Sequence, residues 1–362
     1  MSKNISLPIA WYVDDYIAQR EINHLSGKEP IYVGHQLMVP NINDFHVLER
    51  ENHSKILFHN EDFYSLISNV CRHHEALMLS SRGNTQKIIC PVHRWSYNTE
   101  GVLLNAPRFA EKPCLNLDRH ELTAFHGLLF MGDEAPPFNL HQEVVDTINS
   151  SNYQFSKVVT QTYPFNWKIF MEVYLDNYHI PVVHPGLSKL VDVENQQWLI
   201  EENHSAQFVR LKADFTRFGT KKYELYQSLI KEHWGANVLV QDIMWLALYP
   251  NIMIEKYPFA LVISSLEPTA ADECINIVEY YLDQEIVKKY PDFPAIFTNA
   301  YAETAAEDAE ICELIFQGRK ALYGNGKTQS EHDPHHPLME KGLPSFYNFM
   351  YQKFGDPSLF NW

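Results

Sequence analysis

The chain has 362 residues, and its 45% hydrophobic and 20% charged residues are typical of a globular protein with about two domains rather than a disordered or fibrous chain. Its 45 acidic and 29 basic residues give a net charge of −16, so we expect neither nucleic acid nor an acidic membrane surface as a partner. Five cysteines are too few, and odd in number, for a secreted disulfide framework, so functional cysteines are expected to bind metal or do chemistry.

The N-terminal segment, residues 1–30, has no sustained apolar stretch and is already acidic at Asp14, so no secretory signal is predicted. No window of the chain approaches the roughly 18 uninterrupted apolar residues of a membrane-spanning helix. We therefore expect a cytoplasmic protein with no membrane association.

A domain of short β-strands is predicted over residues 31–150. Between residues 31 and 110, short runs rich in Val, Ile, Tyr and Phe alternate with turn sequences such as SSRGN and CPVHRWSYNTEG. Runs of this length and composition favour strands over helices, so this domain is expected to be all-β.

Two cysteine–histidine pairs lie within the predicted β domain. Cys71 and His73 form one pair and, after sixteen intervening residues, Cys90 and His93 form the other. A zinc finger usually keeps its cysteines in one knuckle and its histidines in the other, whereas each pair here supplies one sulfur and one nitrogen. A Rieske [2Fe–2S] cluster needs two thiolates on one iron and two imidazoles on the other, so the mixed pairs favour that cluster over zinc.

The second domain, residues 151–362, is predicted to combine helices with one antiparallel sheet. A helical period begins after Asn166, the predicted N-cap, and runs to Tyr178, before Pro181 ends the helix. A closing helix is predicted from Ala295 to Leu322, and a last short helix over residues 346–354. The strands of the sheet are predicted within residues 205–215, 238–249, 251–257, 259–268 and 274–282.

A second metal-binding pattern lies at the end of the first helix of this domain. Asp176 and His179 are three positions apart, which predicts one helical face, and His184 follows Pro181, where the chain can fold back. Two histidines and one carboxylate on one face of a metal form the facial triad of non-heme Fe(II) oxygenases. The spacing H-x4-H alone would also suit two buried core histidines.

The two patterns together resemble the signatures of Rieske non-heme iron oxygenases: C-x-H with C-P-x-H-x-W-x-Y, and D-x2-H-x4-H after an NWK helix start. The resemblance covers about residues 30 to 350 and implies an α+β protein. Its parts would be an N-terminal Rieske β-sandwich and a C-terminal helix-grip (START-like) domain, in which an antiparallel sheet curls around a long helix. It also implies that Cys71 and Cys90 bind the buried iron of the cluster, and His73 and His93 the outer iron.

The resemblance further implies the mononuclear iron site, held by His179, His184 and a distant carboxylate. The Glu307–Asp308 pair resembles the family's segment in which the aspartate binds iron, so Asp308 is the predicted ligand and Glu307 the alternative. Asp176 is expected to bridge an iron-binding histidine and a cluster histidine of a neighbouring subunit, which implies a homotrimer. The other acidic residues of the closing helix suit a solvated face: Glu303, Glu310 and Glu313.

The function implied is that of the terminal oxygenase of a multicomponent system, which hydroxylates a small organic substrate with dioxygen. Electrons would come from NAD(P)H through a separate reductase, with or without a ferredoxin, since the chain has no G-x-G-x-x-G motif. A rival from another class is a Rieske electron-transfer protein without oxygenase activity, and a further one is a structural zinc module.

The substrate is expected to be aromatic, because the predicted pocket residues are apolar and rich in aromatic rings. Aromatic rings also suit a quaternary ammonium group, and the chain length resembles choline and carnitine monooxygenases, although their D-x3-H spacing is absent. The predicted pocket residues are Tyr174, Leu175, Phe208, Phe215, Trp245 and Met253.

Two positions depart from the family pattern. The first cluster histidine is usually followed by Arg-Gly, where this chain has His74-Glu75, and many members carry Asn where this chain has Val173. His74 is therefore treated as a spare residue with a surface or packing role. Trp95 and Tyr97 are expected to pack against the cluster loops, and the remaining cysteines to be core residues: Cys114, Cys274 and Cys312.

Overall fold

The computed structural model describes residues 6–355 except positions 26, 28–29, 133, 150–151, 213–218, 236–241 and 331–333. The chain forms two compact units. One is Leu25–Pro137, and the other combines Met1–His24 with Phe138–Trp362.

The unit Leu25–Pro137 is built from antiparallel strands, as predicted. A seven-stranded sheet has the order β1-β10-β9-β4-β3-β2-β5, and a three-stranded sheet has the order β6-β7-β8. The strands are β1 (Ile31–His35), β2 (Asp44–Val47), β3 (Lys55–His59), β4 (Tyr64–Ser68), β5 (Arg82–Asn84), β6 (Ile88–Ile89), β7 (Ser96–Tyr97), β8 (Leu103–Asn105), β9 (Arg119–Phe125) and β10 (Leu128–Met131).

The core of this unit includes the cluster cysteines. Ile56 and Phe58 of β3 and Ile67 of β4 are fully buried, and they belong to one cluster of apolar side chains with Cys71 and Cys90. The strands therefore hold the two cysteine loops through the hydrophobic core itself.

The second unit contains one seven-stranded antiparallel sheet, in the order β11-β17-β16-β15-β14-β13-β12. Its strands are β11 (Tyr153–Tyr163), β12 (Val191–Ile200), β13 (His204–Leu211), β14 (Asp242–Leu248), β15 (Ile252–Tyr257), β16 (Ala260–Ala270) and β17 (Glu273–Asp283). The helices are α1 (Ala10–Val13), α2 (Asp15–Leu25), α3 (Gln142–Ile148), α4 (Trp167–Tyr174), α5 (Ile180–Val183), α6 (Leu187–Leu190), α7 (Lys221–Trp234), α8 (Gln284–Lys289), α9 (Phe293–Gly324) and α10 (Gly342–Phe354).

The long helix α9 packs against the sheet and against α4 and α7. Phe293, Phe297 and Ala300 of α9 share a buried apolar cluster with Tyr257 of β15 and Tyr280 of β17. Pro294 lies in the first turn of α9 and does not break it, because a helix needs no N–H donor there. The sheet and α9 together form the framework on which the candidate iron site is built.

The helix predicted after Asn166 is shorter than expected. Asn166 caps α4, since its side chain accepts a hydrogen bond from the Lys168 N–H, but α4 ends at Tyr174. Asp176 and His179 therefore lie in the turn after α4, and the prediction that they share a helical face is wrong. Pro181 does not end a helix but occupies the first turn of the short helix α5.

Helix α7 and strands β11 and β12 were not predicted. The buried residues of α7 include Tyr223, Tyr226 and Ile230, whose spacing of three and four is a helical signal. Much of β11 and β12 is exposed and polar, so their sequences carry little of the apolar alternation that marks a strand.

Helix α4 is fixed to its neighbours by buried charges. Lys168 pairs with Glu21 of α2 at 2.6 Å, and both side chains are almost completely buried. Glu172 pairs with Arg319 of α9 at 2.7 Å and also accepts a hydrogen bond from Tyr12 of α1. Removing one partner of a buried pair is costly, on the order of 3–5 kcal/mol, so these contacts set the position of the turn that follows α4.

Candidate metal centres

The two cysteine loops of the first unit are built in the same way. The N–H of Cys71 donates to the carbonyl of Ala76, and the N–H of Cys90 donates to the carbonyl of Trp95, at 2.9 and 2.8 Å. In each loop the residue four positions after the cysteine has a left-handed backbone, with φ of 57° at Glu75 and 62° at Arg94. Glu75 therefore adopts the backbone for which glycine is best suited, and the departure from Arg-Gly leaves the two turns equivalent.

The imidazoles next to these cysteines gather at one place. The ring of His73 stacks on Trp95 with centroids 4.8 Å apart and lies 4.6 Å from the ring of His93. Phe109 contacts both His73 and Trp95 edge-on. The ring of His74, which was treated as a spare residue in the sequence analysis, has its centroid 4.1 Å from that of His73. One ring nitrogen each of His73, His74 and His93 lies within 4.8 Å of the other two.

The donor set of this region fits a Rieske cluster. Cys71 and Cys90 are buried, whereas His93 is exposed and His73 is partly exposed, so the thiols lie inside and the imidazoles outside. The Tyr97 hydroxyl lies 3.7 Å from the Cys71 Sγ and accepts a hydrogen bond from the backbone of the same loop. The expected packing of Trp95 and Tyr97 on the loops is thus observed.

The remaining cysteines do not all lie in the core. Cys274 and Cys312 are buried, as predicted, but Cys114 is exposed, so its assignment to the core is wrong. Cys114 follows Pro113 in a segment outside helices and strands. The neighbouring sequence has neither an apolar periodicity nor a turn motif from which the exposure of Cys114 could be predicted.

In the second unit, His179, His184 and Asp308 converge from two distant segments. The Nε2 atoms of His179 and His184 are 3.0 Å apart, and the Asp308 Oδ1 lies 3.0 Å from the Nε2 of His184 and 3.4 Å from that of His179. His179 precedes α5, His184 follows it, and Asp308 extends from α9. The turn that α5 makes brings the two histidines together in front of the long helix.

These distances fit a metal site. Ligands about 2.0–2.2 Å from a metal and at right angles to one another stand roughly 3 Å apart. The three atoms, one from each side chain, therefore have the spacing of one face of an octahedral site. Two imidazoles and one carboxylate are also the donor set of non-heme Fe(II) centres.

Carboxylates shape the electrostatics of this group. Burial alone would lower the pKa of His179, but Asp176 and Asp308 raise it to about 9. The pKa of His184 is likewise raised by Asp308 and Glu307 against the effect of burial. Burial would raise the pKa of Asp308, but the two histidines lower it below its ordinary value, so this carboxylate stays ionised.

Asp176 and Glu307 contact the outer nitrogens of the two imidazoles. The Asp176 Oδ2 lies 3.3 Å from the Nδ1 of His179, and the Glu307 Oε2 lies 2.7 Å from the Nδ1 of His184. A carboxylate in that position fixes the tautomer and orientation of a metal-binding histidine. Asp308, not Glu307, faces the Nε2 atoms of both rings.

The three converging residues line a cavity of about 60 Å³. Of the predicted pocket residues, Tyr174 and Trp245 line it, whereas Leu175, Phe208 and Met253 are not among its lining residues, and Phe215 lies outside the described residues. Val173, where many family members have Asn, adds an apolar wall. Further lining residues, which the sequence analysis missed, are Phe170, Glu255, Tyr257, Tyr301 and Thr304.

Glu255 is the buried carboxylate of this cavity. Its side chain accepts hydrogen bonds from the hydroxyls of Tyr257 and Tyr301, each at 2.7 Å. Burial raises the pKa of Glu255 to about 7 although the two tyrosine hydrogen bonds lower it. A single Glu in a strand is normally assigned to the solvent face, so nothing in the sequence separated Glu255 from a surface residue.

Among the described residues, no helix combines the length and the apolar character that a bilayer crossing requires.

Two family models match the chain. A Rieske [2Fe-2S] domain matches residues 29–121, and the catalytic domain of the ring hydroxylating alpha subunit matches residues 141–354. The second match alone spans more than half of the chain, and the two together place each candidate metal centre within the domain type that the resemblance implied.

Known proteins are similar to this chain over most of their length. A putrescine 2-hydroxylase of Ralstonia nicotianae is 38% identical over 95% of this chain and 94% of its own, and that of Bordetella bronchiseptica is 35% identical over 97% and 85%. The solved structure of a quaternary ammonium Rieske monooxygenase has the same fold, with a TM-score of 0.73 at 17% identity over 98% of this chain and 97% of its own. The predicted α+β fold, oxidoreductase class and pair of cofactors are confirmed, and this chain belongs to the Rieske non-heme iron oxygenases, as an alpha subunit with a [2Fe–2S] domain and a mononuclear-iron domain.

Proposed function

We propose that this terminal oxygenase hydroxylates a carbon of a small aliphatic diamine of the putrescine class. Two relatives that are 38% and 35% identical along nearly the whole chain are putrescine 2-hydroxylases, which supports this substrate class. The reaction would consume the diamine, one O2, two electrons and two protons, and would release the hydroxylated diamine and water. Like its family, the chain works with separate electron-transfer partners.

The observation that carries this proposal is the size of the cavity lined by His179, His184 and Asp308. Its volume is about 60 Å³. A cavity of that volume has room for more than one water-sized group but is small for a substrate site. A short unbranched chain matches that room better than an aromatic acid or a fused ring system.

The chain's residues would hold the two cofactors as follows. Cys71 and Cys90 would bind one iron of the [2Fe–2S] cluster and His73 and His93 the other. Their burial and exposure support this assignment. The mononuclear iron would be held by a second set of residues, His179, His184 and Asp308, and would supply the activation of O2.

Side chains around the proposed iron ligands orient the two histidines and line the cavity. Glu307 orients His184 through its outer nitrogen at 2.7 Å, and Asp176 contacts the outer nitrogen of His179 at 3.3 Å. Phe170 and Val173 give the cavity an apolar wall that excludes water from the reacting carbon.

We also propose that Asp176 serves as the bridge to a cluster histidine of a neighbouring subunit in a homotrimer. Its side chain is 24% exposed, so it is accessible to a second ring. The neighbouring surface contains two large apolar residues, Tyr178 and Val182, which are 60% and 86% exposed. Exposed apolar side chains beside a functional residue support contact with another chain at this surface.

The oligomeric state gives a first test. Sedimentation equilibrium of the purified protein is expected to give three times the mass of one chain. Val182→Glu, which places a charge in the proposed contact, is expected to shift the population towards monomer. A monomeric wild-type protein would contradict the trimer while leaving the oxygenase assignment in place.

The substrate class is tested by oxygen uptake with a surrogate reductase and NADH. Putrescine is expected to stimulate O2 consumption well above carnitine, choline and benzoate, which represent the quaternary ammonium and aromatic alternatives. Mass spectrometry should show one ¹⁸O atom in the product when ¹⁸O2 is supplied. Coupled turnover of benzoate or carnitine without that of putrescine would contradict the proposal and favour the corresponding alternative.

A further inference from the structure

Glu255 lies on the face of the sheet that is turned towards the cavity. Within the sheet it pairs with Trp245 of β14 on one side and Val262 of β16 on the other, and Val262 pairs with Tyr280 of β17. Paired residues of an antiparallel sheet project from the same face. Glu255 and Trp245 both line the cavity, together with Tyr257 two positions further along β15.

Among the described residues, no cationic side chain acts on the buried carboxylate of Glu255. Its residue is 6% exposed, and two tyrosine hydroxyls, those of Tyr257 and Tyr301, donate to its two oxygens. Among the described residues, the charged group that acts on Glu255 is the carboxylate of Asp308, which is repulsive. Burying a carboxylate with no cationic side chain beside it is costly, so we expect a cationic group that enters the cavity to stabilise its charge.

The surroundings of Glu255 suit an organic ammonium group. A carboxylate has about four acceptor positions, and the two tyrosines occupy one on each oxygen. The indole of Trp245 is held in place by its N–H, which donates to the Tyr257 hydroxyl at 3.0 Å. Aromatic rings beside a carboxylate stabilise a cation that enters the cavity.

We propose that Glu255, held by Tyr257 and Tyr301, binds a primary ammonium group of the substrate and makes the enzyme specific for aliphatic amines. This assignment rests on the proposed oxygenase function, because it names the residue that recognises the substrate of the same cavity. A primary ammonium has N–H donors for the free acceptor positions of the carboxylate, whereas a quaternary ammonium has none. An alcohol of the same length is uncharged and cannot form a charge-assisted hydrogen bond with the carboxylate as a cation.

The alternative is that Glu255 is a protonated structural residue that only holds its two tyrosines. Glu255→Gln keeps the shape and the hydrogen-bonding capacity of a neutral carboxylic acid, so a structural role predicts little change. An ammonium-binding role predicts a loss, because the charge is removed. The two readings are therefore separated by one isosteric substitution.

The chain offers a matched control in Glu279. Like Glu255, this residue is buried in a strand and accepts a hydrogen bond from a tyrosine two positions later, Tyr281, at 2.6 Å. Since Tyr280 shares the face of Glu255 through Val262, Glu279 projects from the opposite face of the sheet. It does not line the cavity.

The test compares n-butylamine with n-butanol, which has the same carbon chain and no charge. Wild-type enzyme is expected to favour the amine in kcat/KM. Glu255→Gln should raise the KM for the amine roughly 30-fold or more, change that for the alcohol little, and bring the ratio towards one. Glu279→Gln should keep the wild-type ratio, and unchanged iron content and Rieske spectrum show that each variant is folded.

The pH profile provides a readout that a structural role would not change. The titratable groups facing Glu255 are the carboxylate of Asp308 and the hydroxyls of four tyrosines. Burial raises the pKa of each tyrosine, so all four stay neutral near pH 7: Tyr174, Tyr257, Tyr280 and Tyr301. With a pKa of about 7, Glu255 loses its charge as the pH falls. We therefore expect kcat/KM for the amine to fall below about pH 7 in wild type, and this limb to be absent in Glu255→Gln.

The proposed function and the role of Glu255 fail on different results. Failure of wild type to hydroxylate any amine would overturn the proposed function. Amine turnover that is unchanged by Glu255→Gln, with an unchanged ratio, would overturn the role of Glu255 alone. Should the variant fail to fold, calorimetric titration of wild type decides, because equal affinities for n-butylamine and n-butanol would also overturn it.

Discussion

Asp308→Ala is expected to abolish turnover and to lower the iron content from three atoms per chain to two, with the visible spectrum of the Rieske cluster unchanged. Its Oδ1 is the only oxygen atom described within 3.0–3.4 Å of both Nε2 atoms of His179 and His184. Without it, two neutral imidazoles remain, and they hold Fe(II) weakly. Iron analysis together with absorption spectroscopy measures both quantities in one sample.

Two further variants on α9 test whether the loss of iron is specific to Asp308. Glu310→Ala removes an exposed carboxylate of α9 and is expected to retain three irons. Glu307→Gln keeps all three converging ligand atoms but weakens the hydrogen bond to the outer nitrogen of His184, so iron affinity should fall by roughly 10–100-fold. Three irons per chain in Asp308→Ala would show that this carboxylate is not a ligand, and two irons in the wild type would favour the Rieske electron-transfer protein instead.

The structure brings together the three residues that the sequence predicted as iron ligands, and their binding of iron stays a prediction. Their geometry could not be predicted from the sequence. Tyr301, Thr304, Ala305 and Asp308 line the cavity at the spacing of one helical face. The sequence predicts that α9 is a helix but does not show which of its faces lines the cavity, because α9 has carboxylates on more than one side. The family resemblance, and not the helical period, selected Asp308.

Local structure near Asp176 and Glu255 depended on contacts that no short sequence window contains. The apolar period of α4 runs on past Tyr174, but the N–H of Asn177 donates to the carbonyl of Met339, and this distant contact helps to end the helix early. The sequence analysis did not single out Glu255, because the hydroxyl that accompanies Tyr257 at its carboxylate belongs to Tyr301 of α9, 46 positions away. In both places tertiary contacts outweigh local propensity.

Asp176→Asn is expected to keep both metal centres and to lose most turnover, at least about 10–100-fold. The amide has the shape of the carboxylate but no charge, and its NH2 group cannot accept from the Nδ1 of His179, which lies 3.3 Å from Oδ2. Iron content and the Rieske spectrum should match wild type, while product formed per NADH consumed should fall. The same change at Asp272, a residue whose side chain is 60% exposed, should have no such effect.

Mixed assemblies test whether Asp176 connects two chains. A Cys71→Ser chain is expected to keep its mononuclear iron but lack a working cluster, and an Asp308→Ala chain the reverse, so each alone should be inactive. Co-expressed, they should regain activity only if electrons cross from one chain to the other. Adding Asp176→Asn to the Cys71→Ser chain should then abolish the regained activity, whereas adding it to the Asp308→Ala chain should not, because Asp176 acts on the iron-binding histidine of its own chain. Equal loss in both arrangements, or no regained activity, would contradict the bridge.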